Sequence, residues 1–177
     1  AVAKGDMAKA WAVLHKHMPL PNILARICDH PCESACLRGE AGDAIRIGAL
    51  ERAVATSPEP RFRTLPMPTK PQRVAILGAG LSSLTAAWDL AAKGYSVVAM
   101  TSTDTPGGLL ADFPKSLLPE DAIASEIEKL RKRGADILTS LDPDTLDPKA
   151  LLAAYDAVCI GCDDPALGTL PCDCDPA

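Results

Sequence analysis

Cys28-Asp-His-Pro-Cys32-Glu-Ser-Ala-Cys36 sets three thiols at four-residue spacing. Thiolates at this density suit an iron–sulfur cluster or zinc, since both take soft sulfur ligands. The three can converge if the chain is irregular near Pro31. His30 has the chemistry of a zinc ligand, but between Asp29 and Pro31 it reads as a loop residue. The alternative is that the three thiols simply pack as small apolar groups. A cubane cluster wants four ligands, so this set is one short. A second group, Cys159, Cys162, Cys172 and Cys174, carries Cys-x-x-Cys and Cys-x-Cys spacing. Cys159 falls within a strand pattern and reads as buried. A metal or disulfide role for this group is the alternative. Seven cysteines in all, an odd number, argue against a simple disulfide framework.

The second chemical signal is Gly78-Ala79-Gly80-Leu81-Ser82-Ser83, directly after an apolar strand pattern and before a helical one. The first glycine permits a tight turn, and the second lets a pyrophosphate approach the backbone. The following helix N-terminus offers unpaired N–H groups and partial positive charge. Ser83 replaces the third glycine of the usual pattern and is small enough to keep helix and strand close. An acidic ribose ligand is expected near the end of the next strand. Thr101 stands there instead, with Asp104 past the strand end. A sheet that has outlived its nucleotide site is therefore the competing reading.

Elements that could position these groups follow from the pattern. Asp6 can cap a helix to about His17, with Met7, Trp11, Leu14 and Met18 on one face. His15 and His17 on it read as surface residues. Ile47, Leu50 and Val54 mark one face of a second helix. Prolines 58, 60, 66, 68 and 71 crowd the next segment and read as a stiff linker. Beyond it, strands at 73–77, 96–100, 136–138 and 156–160 alternate with helices at 81–93, 119–133 and 148–154. Such alternation implies a parallel sheet with right-handed crossovers. The expected class is α/β: a small helical cysteine-bearing domain, then a partial Rossmann-like parallel sheet. The expected divisions are 1–56, a linker at 57–71, a sheet domain at 72–162 and a Cys/Asp/Pro tail at 163–177.

Composition narrows the role. The sequence has 177 residues, 47% of them apolar and 23% charged, which fits a folded domain of ordinary size. A net charge of −5 favours neither nucleic acid nor an anionic membrane. No apolar run is long enough to span a bilayer. The first residues lack a signal-peptide core, so a cytoplasmic setting is expected. No nucleophile–base or acid–base pair stands out, so direct substrate chemistry in this chain alone is not expected.

The order of these motifs is distinctive. Pro21-Asn-Ile-Leu-Ala-Arg-Ile-Cys28 through Cys36 is followed by Ile45-Arg-Ile-Gly-Ala-Leu-Glu51. Arg73-Val-Ala-Ile-Leu-Gly-Ala-Gly80 and Thr105-Pro-Gly-Gly-Leu-Leu110 come next. The whole resembles the glutamate synthase small subunit and the N-terminal part of dihydropyrimidine dehydrogenase, from about Asp6 to Gly161. That resemblance implies a helical domain with two 4Fe-4S clusters, then an FAD domain served by NADPH. It implies electron relay from a nicotinamide and flavin donor to a partner catalytic subunit. Carried over by position, Cys28 and Cys32 belong to one cluster and Cys36 to the other. Glu51 falls at a side-chain ligand that is not cysteine. Gly78, Ala79, Gly80, Ser82, Ser83, Thr101, Gly107, Gly108 and Leu109 fall along the FAD path. The family's upstream cysteines fall before residue 1, so the remaining ligands are expected from outside this sequence. Leu24 stands where many relatives have a further cysteine. The alternative function is a cofactor-free assembly module within a larger redox complex.

Overall fold

The computed structural model describes residues 1–58 and 68–161. Its contacts divide the chain into two compact units. One holds the described residues of Ala1–Pro66 together with Pro114–Glu126, and the other those of Met67–Phe113 and Ile127–Ala177. Much of the expected linker (59–67) and all of 162–177, with Cys162, Cys172 and Cys174, lie outside the described residues.

The first unit is helical. Helix α1 (Met7–His17) starts where expected, because the Asp6 carboxylate accepts from the Lys9 N–H at 3.0 Å. Helix α2 (Pro21–Ile27) follows, then the single turn α3 (Pro31–Ser34) and helix α4 (Ile47–Ala55). Helix α4 packs on both α1 and α2. Trp11 and Ala10 close a small core with Val54, flanked by Val2, Met7 and Leu14. His15 is half-buried rather than a free surface residue, since its ring stacks on Trp11 at 3.6 Å between centroids. Leu50 is also displaced from the expected stripe and is exposed. The buried residues of α4 are instead Gly48, Val54 and Ala55.

Helix α2 was not expected from the pattern. Pro21 reads as the end of α1, yet it also suits the first position of a new helix, where no amide partner is required. The N-cap residue Leu20 has no side-chain acceptor to offer. The Asn22 N–H is instead taken by Glu126 Oε1 at 3.0 Å, from 104 residues away. Glu126 is fully buried. Glu126→Ala deprives this amide of its acceptor. The expected loss is about 1–3 kcal/mol, read as a lower urea midpoint at constant m-value.

The second unit is a four-stranded parallel sheet in the order β3-β2-β1-β4. The strands are β1 (Arg73–Leu77), β2 (Ser96–Met100), β3 (Ala135–Leu138) and β4 (Ala157–Ile160). Helix α5 (Leu81–Ala92) packs on β1, β2 and β3, and α7 (Pro148–Ala154) packs on β4. Helix α6 (Glu120–Lys132) precedes β3. Strand alternation sends Ala75, Leu77 and Met100 to one face, where Leu141, Leu146, Leu151, Tyr155 and Val158 cover them. The expected α/β class with a parallel sheet is the architecture found. Strand β1 lies inside the sheet, so its C-terminal end and the following turn sit between β2 and β4. Crevices at the C-terminal ends of such strands are where nucleotides bind.

Candidate functional site: a cysteine turn and a glycine turn

Cys28 ends α2, and its own N–H closes the helix on Leu24 O at 3.1 Å. Two residues on, His30 takes a left-handed backbone at φ +52°, a conformation few non-glycine residues adopt. Its N–H points back to Cys28 Sγ at 3.3 Å. Pro31 then starts α3, which carries Cys32 and Glu33, and Cys36 follows it. The segment near Pro31 is thus a helical turn, not the irregular stretch that would let three thiols converge. Among the described residues, no three His, Cys, Asp or Glu side chains lie close enough to hold one metal ion. Cys28 and Cys32 are exposed free thiols and Cys36 is a half-buried one.

Cys36 sits among backbone donors. The amides of Ile45, Arg38 and Gly39 hydrogen-bond its sulfur and hold its pKa below the ordinary thiol range, outweighing burial and the Glu33 charge. N–H bonds to sulfur favour thiolate and are among the protein's means of setting a cluster's potential. The donor set of free thiols, one held by amides, fits part of an iron–sulfur ligand shell. Glu51 lies on α4, half-buried, with Oε2 at 3.7 Å from His30 Nε2.

The glycine turn is assembled from four stretches of the second unit. Gly78 has φ +104°, which an L side chain rarely takes, and its N–H donates to Met100 O at 2.6 Å. Gly80 is the N-cap of α5 and supplies no side-chain cap to the first-turn amides. Gly107 donates to Ala79 O at 2.7 Å, so the Gly107-Gly108 turn is bonded to the first. Gly161 donates to Leu77 O at 2.6 Å and brings the end of β4 to the same place. Ser83 is 2% exposed, and its hydroxyl has no hydrogen-bond partner among the described residues. Its Oγ occupies the space a side chain on Gly161 would need and lies 3.0 Å from where a Gly78 Cβ would stand. This cradle fits a phosphate approached by backbone.

The ribose end is different. Thr101 is 2% exposed. Its hydroxyl is 2.9 Å from Thr103 Oγ1 and also receives the Thr103 N–H at 3.3 Å. The Thr101 side chain is therefore engaged in the turn that ends β2. Asp104 is exposed, and its Oδ1 accepts from Ser140 Oγ at 2.8 Å. Leu109 is 61% exposed on the short 3₁₀ turn Gly108–Asp112. Ser82 is exposed at the start of α5. Cys159 is exposed on β4 and not buried as its strand pattern suggests, because β4 is an edge of the sheet.

Comparison with known proteins places both turns. The family model for dihydropyrimidine dehydrogenase domain II, 4Fe-4S cluster, matches residues 1–60. The NAD(P)-binding Rossmann-like domain matches residues 76–125. The glutamate synthase NADPH small chain of Mycobacterium tuberculosis is 26% identical over 96% of this chain and 36% of its own length. The NAD-dependent dihydropyrimidine dehydrogenase subunit PreT of Escherichia coli is 32% identical over 72% of this chain and 32% of its own. The chain is homologous to these two proteins. A third relative, the NADP(+)-dependent formate dehydrogenase subunit beta of Moorella thermoacetica, is 32% identical over 77% of this chain and 23% of its own length. The chain thus spans between about a quarter and about a third of these relatives. The resemblance read from the sequence is borne out, as is a 4Fe-4S-type domain ahead of a Rossmann-like one. No helix among the described residues is long and apolar enough to cross a membrane.

Sequence reasoning missed Glu33 and Gly161, and it gave His30 only a loop position. Glu33 and His30 both reach α4 from the cysteine segment. Gly161 meets Ser83. One signal for the first pair was available: a glycine inside a helix pattern, here Gly48, often marks a close approach by another group.

Proposed function

We propose that this chain is part of an electron-transfer subunit of an iron–sulfur flavoprotein oxidoreductase. It relays electrons between a nicotinamide and flavin donor and a partner catalytic subunit. The observation that carries this reading is the pairing, in one chain, of a 4Fe-4S domain match with a backbone phosphate cradle built by Gly78, Gly80 and Gly107. Cys28 and Cys32 hold one 4Fe-4S cluster and Cys36 holds the other. Glu51 supplies a harder oxygen donor. Further cysteines from outside the sequence complete both shells. Gly78, Ala79, Gly80, Ser82 and Ser83 line the FAD pyrophosphate, and Gly107, Gly108 and Leu109 border the cofactor. The clusters supply one-electron outer-sphere transfer when bound, and this chain breaks no substrate bond. The backbone amides around Cys36 favour the thiolate form of its sulfur. The setting is cytoplasmic.

A second reading is favoured by one feature. Thr101 is engaged and inaccessible where the ribose carboxylate is expected, which suits a cofactor-free assembly module. Iron, acid-labile sulfide and flavin quantified on the anaerobically purified native complex separate the two. Iron with sulfide and broad visible absorption is the expected result. Their absence overturns the redox reading, and stoichiometric FAD overturns the assembly module.

A further inference from the structure

We propose that Glu33 is a positioning residue which, with His30, holds α4 and therefore Glu51 in fixed register against the cysteine turn. The inference rests on the reading of Glu51 as a cluster ligand.

The first amides of a helix have no partner within it. Arg46 is the N-cap of α4 and its side chain makes no cap bond. The Gly48 N–H, in the first turn, is satisfied by Glu33 Oε1 at 2.7 Å, from fifteen residues earlier. A carboxylate on a helix N-terminal amide is a short, charge-assisted bond that also complements the helix dipole. Glu33 lies between Cys32 and Cys36 in sequence. The bond therefore ties the thiol-bearing segment directly to the helix that carries Glu51.

A second grip lies on the same face of α4. The His30 imidazole covers Gly48, and a methyl group there would overlap the ring. Its Nε2 stands 3.7 Å from Glu51 Oε2. Gly48 and Glu51 are three residues apart, so they are neighbours on one helix face. The ring leaves no room for a side chain at position 48, which accounts for glycine there. His30 holds a left-handed backbone, φ +52°, while its ring lies on Gly48. Two side chains from the Cys28–Cys36 stretch thus hold one face of α4.

A purely structural cap and a register device differ in what they change. Loss of a cap lowers stability. Loss of the register also moves the donor oxygen relative to the cluster, which changes the spectrum. The test uses the native complex, purified anaerobically, with Glu33→Ala, Glu33→Gln, Gly48→Ala and Glu51→Ala. Electron paramagnetic resonance of the reduced clusters, their reduction potentials and the rate of iron loss to a chelator are measured. Glu33→Ala and Gly48→Ala should shift the signal and potential of the same cluster that Glu51→Ala alters. They should also weaken iron retention by about 10-fold or more, the usual scale for partners that orient a ligand. Glu33→Gln keeps an acceptor oxygen and should stay near wild type. Wild-type signal and potential in Glu33→Ala and Gly48→Ala, beside an altered Glu51→Ala, overturn the register device alone. Unchanged signals in Glu51→Ala overturn the ligand reading and this inference with it. Gly48→Ala crowds a half-buried ring, so if it does not accumulate, the Glu33→Ala and Glu33→Gln pair decides.

Discussion

Cys32→Ser should remove the signal of one iron–sulfur cluster from the native complex while leaving the Rossmann-like half folded. Serine keeps the shape of the side chain but replaces a soft thiolate with a harder, more basic oxygen. A cluster that loses one thiolate from its shell is expected to be lost or converted, with complete loss of its original resonance. Cys32 is exposed on the turn α3. The substitution removes no core packing, so any change in the helical unit's stability reports the lost cluster. The sheet lies in the other compact unit, so its strands and helices should be retained. Visible absorption and electron paramagnetic resonance report the cluster, and circular dichroism reports the sheet. An unchanged visible spectrum in the assembled complex would falsify the assignment of Cys32 as a ligand.

Gly161→Ala should destabilise the sheet unit by about 1–3 kcal/mol, the scale of an overpacked interior site. The added methyl would overlap Ser83 Oγ and come to 3.0 Å from Leu77 O. Both neighbours are buried, and one is backbone that cannot turn aside. Ser83→Gly removes the hydroxyl and should relieve the larger of these two collisions. By itself, Ser83→Gly costs about 0.5 kcal/mol of helix propensity in α5, the difference between serine and glycine. That loss is offset in part by removal of a buried hydroxyl with no partner among the described residues. The double variant should therefore be more stable than the sum of the two single effects, by a coupling of about 0.5–3 kcal/mol. Urea unfolding of all four proteins measures it. Strict additivity would mean that Ser83 is not what excludes a side chain at 161. The pair also explains how a serine can stand where a third glycine is usual. The space it takes is returned by the glycine at the end of β4.

Local signals were read well where a local cause acts. The Asp6 cap, Pro148 at the start of α7 and the strand–helix alternation from Arg73 onward all depend on residues within one turn or one strand. Gly78 and Gly80 were legible because their turn follows directly on β1. Failures cluster where a distant partner decides. Pro21 reads as a stop, and only the buried Glu126 makes the start of α2 a satisfied helix end. Leu50 fits a stripe by spacing, but it is exposed, while Gly48 is buried against the His30 ring. Cys159 looks buried by pattern, yet strand order puts β4 at an edge.

The sequence by itself determined the kind of protein. Thiol spacing, the glycine turn and their order along one chain specify the two domain types, because those signals are short-range and chemically narrow. Tertiary structure alone decided how the thiols are disposed and what surrounds them. It showed that three cysteines do not close on one ion among the described residues, that Thr101 is engaged in its own turn, and that Glu33 caps a helix fifteen residues later. Each of these depends on groups that meet only after folding, and a remote hydrogen bond leaves no periodicity in the chain that makes it.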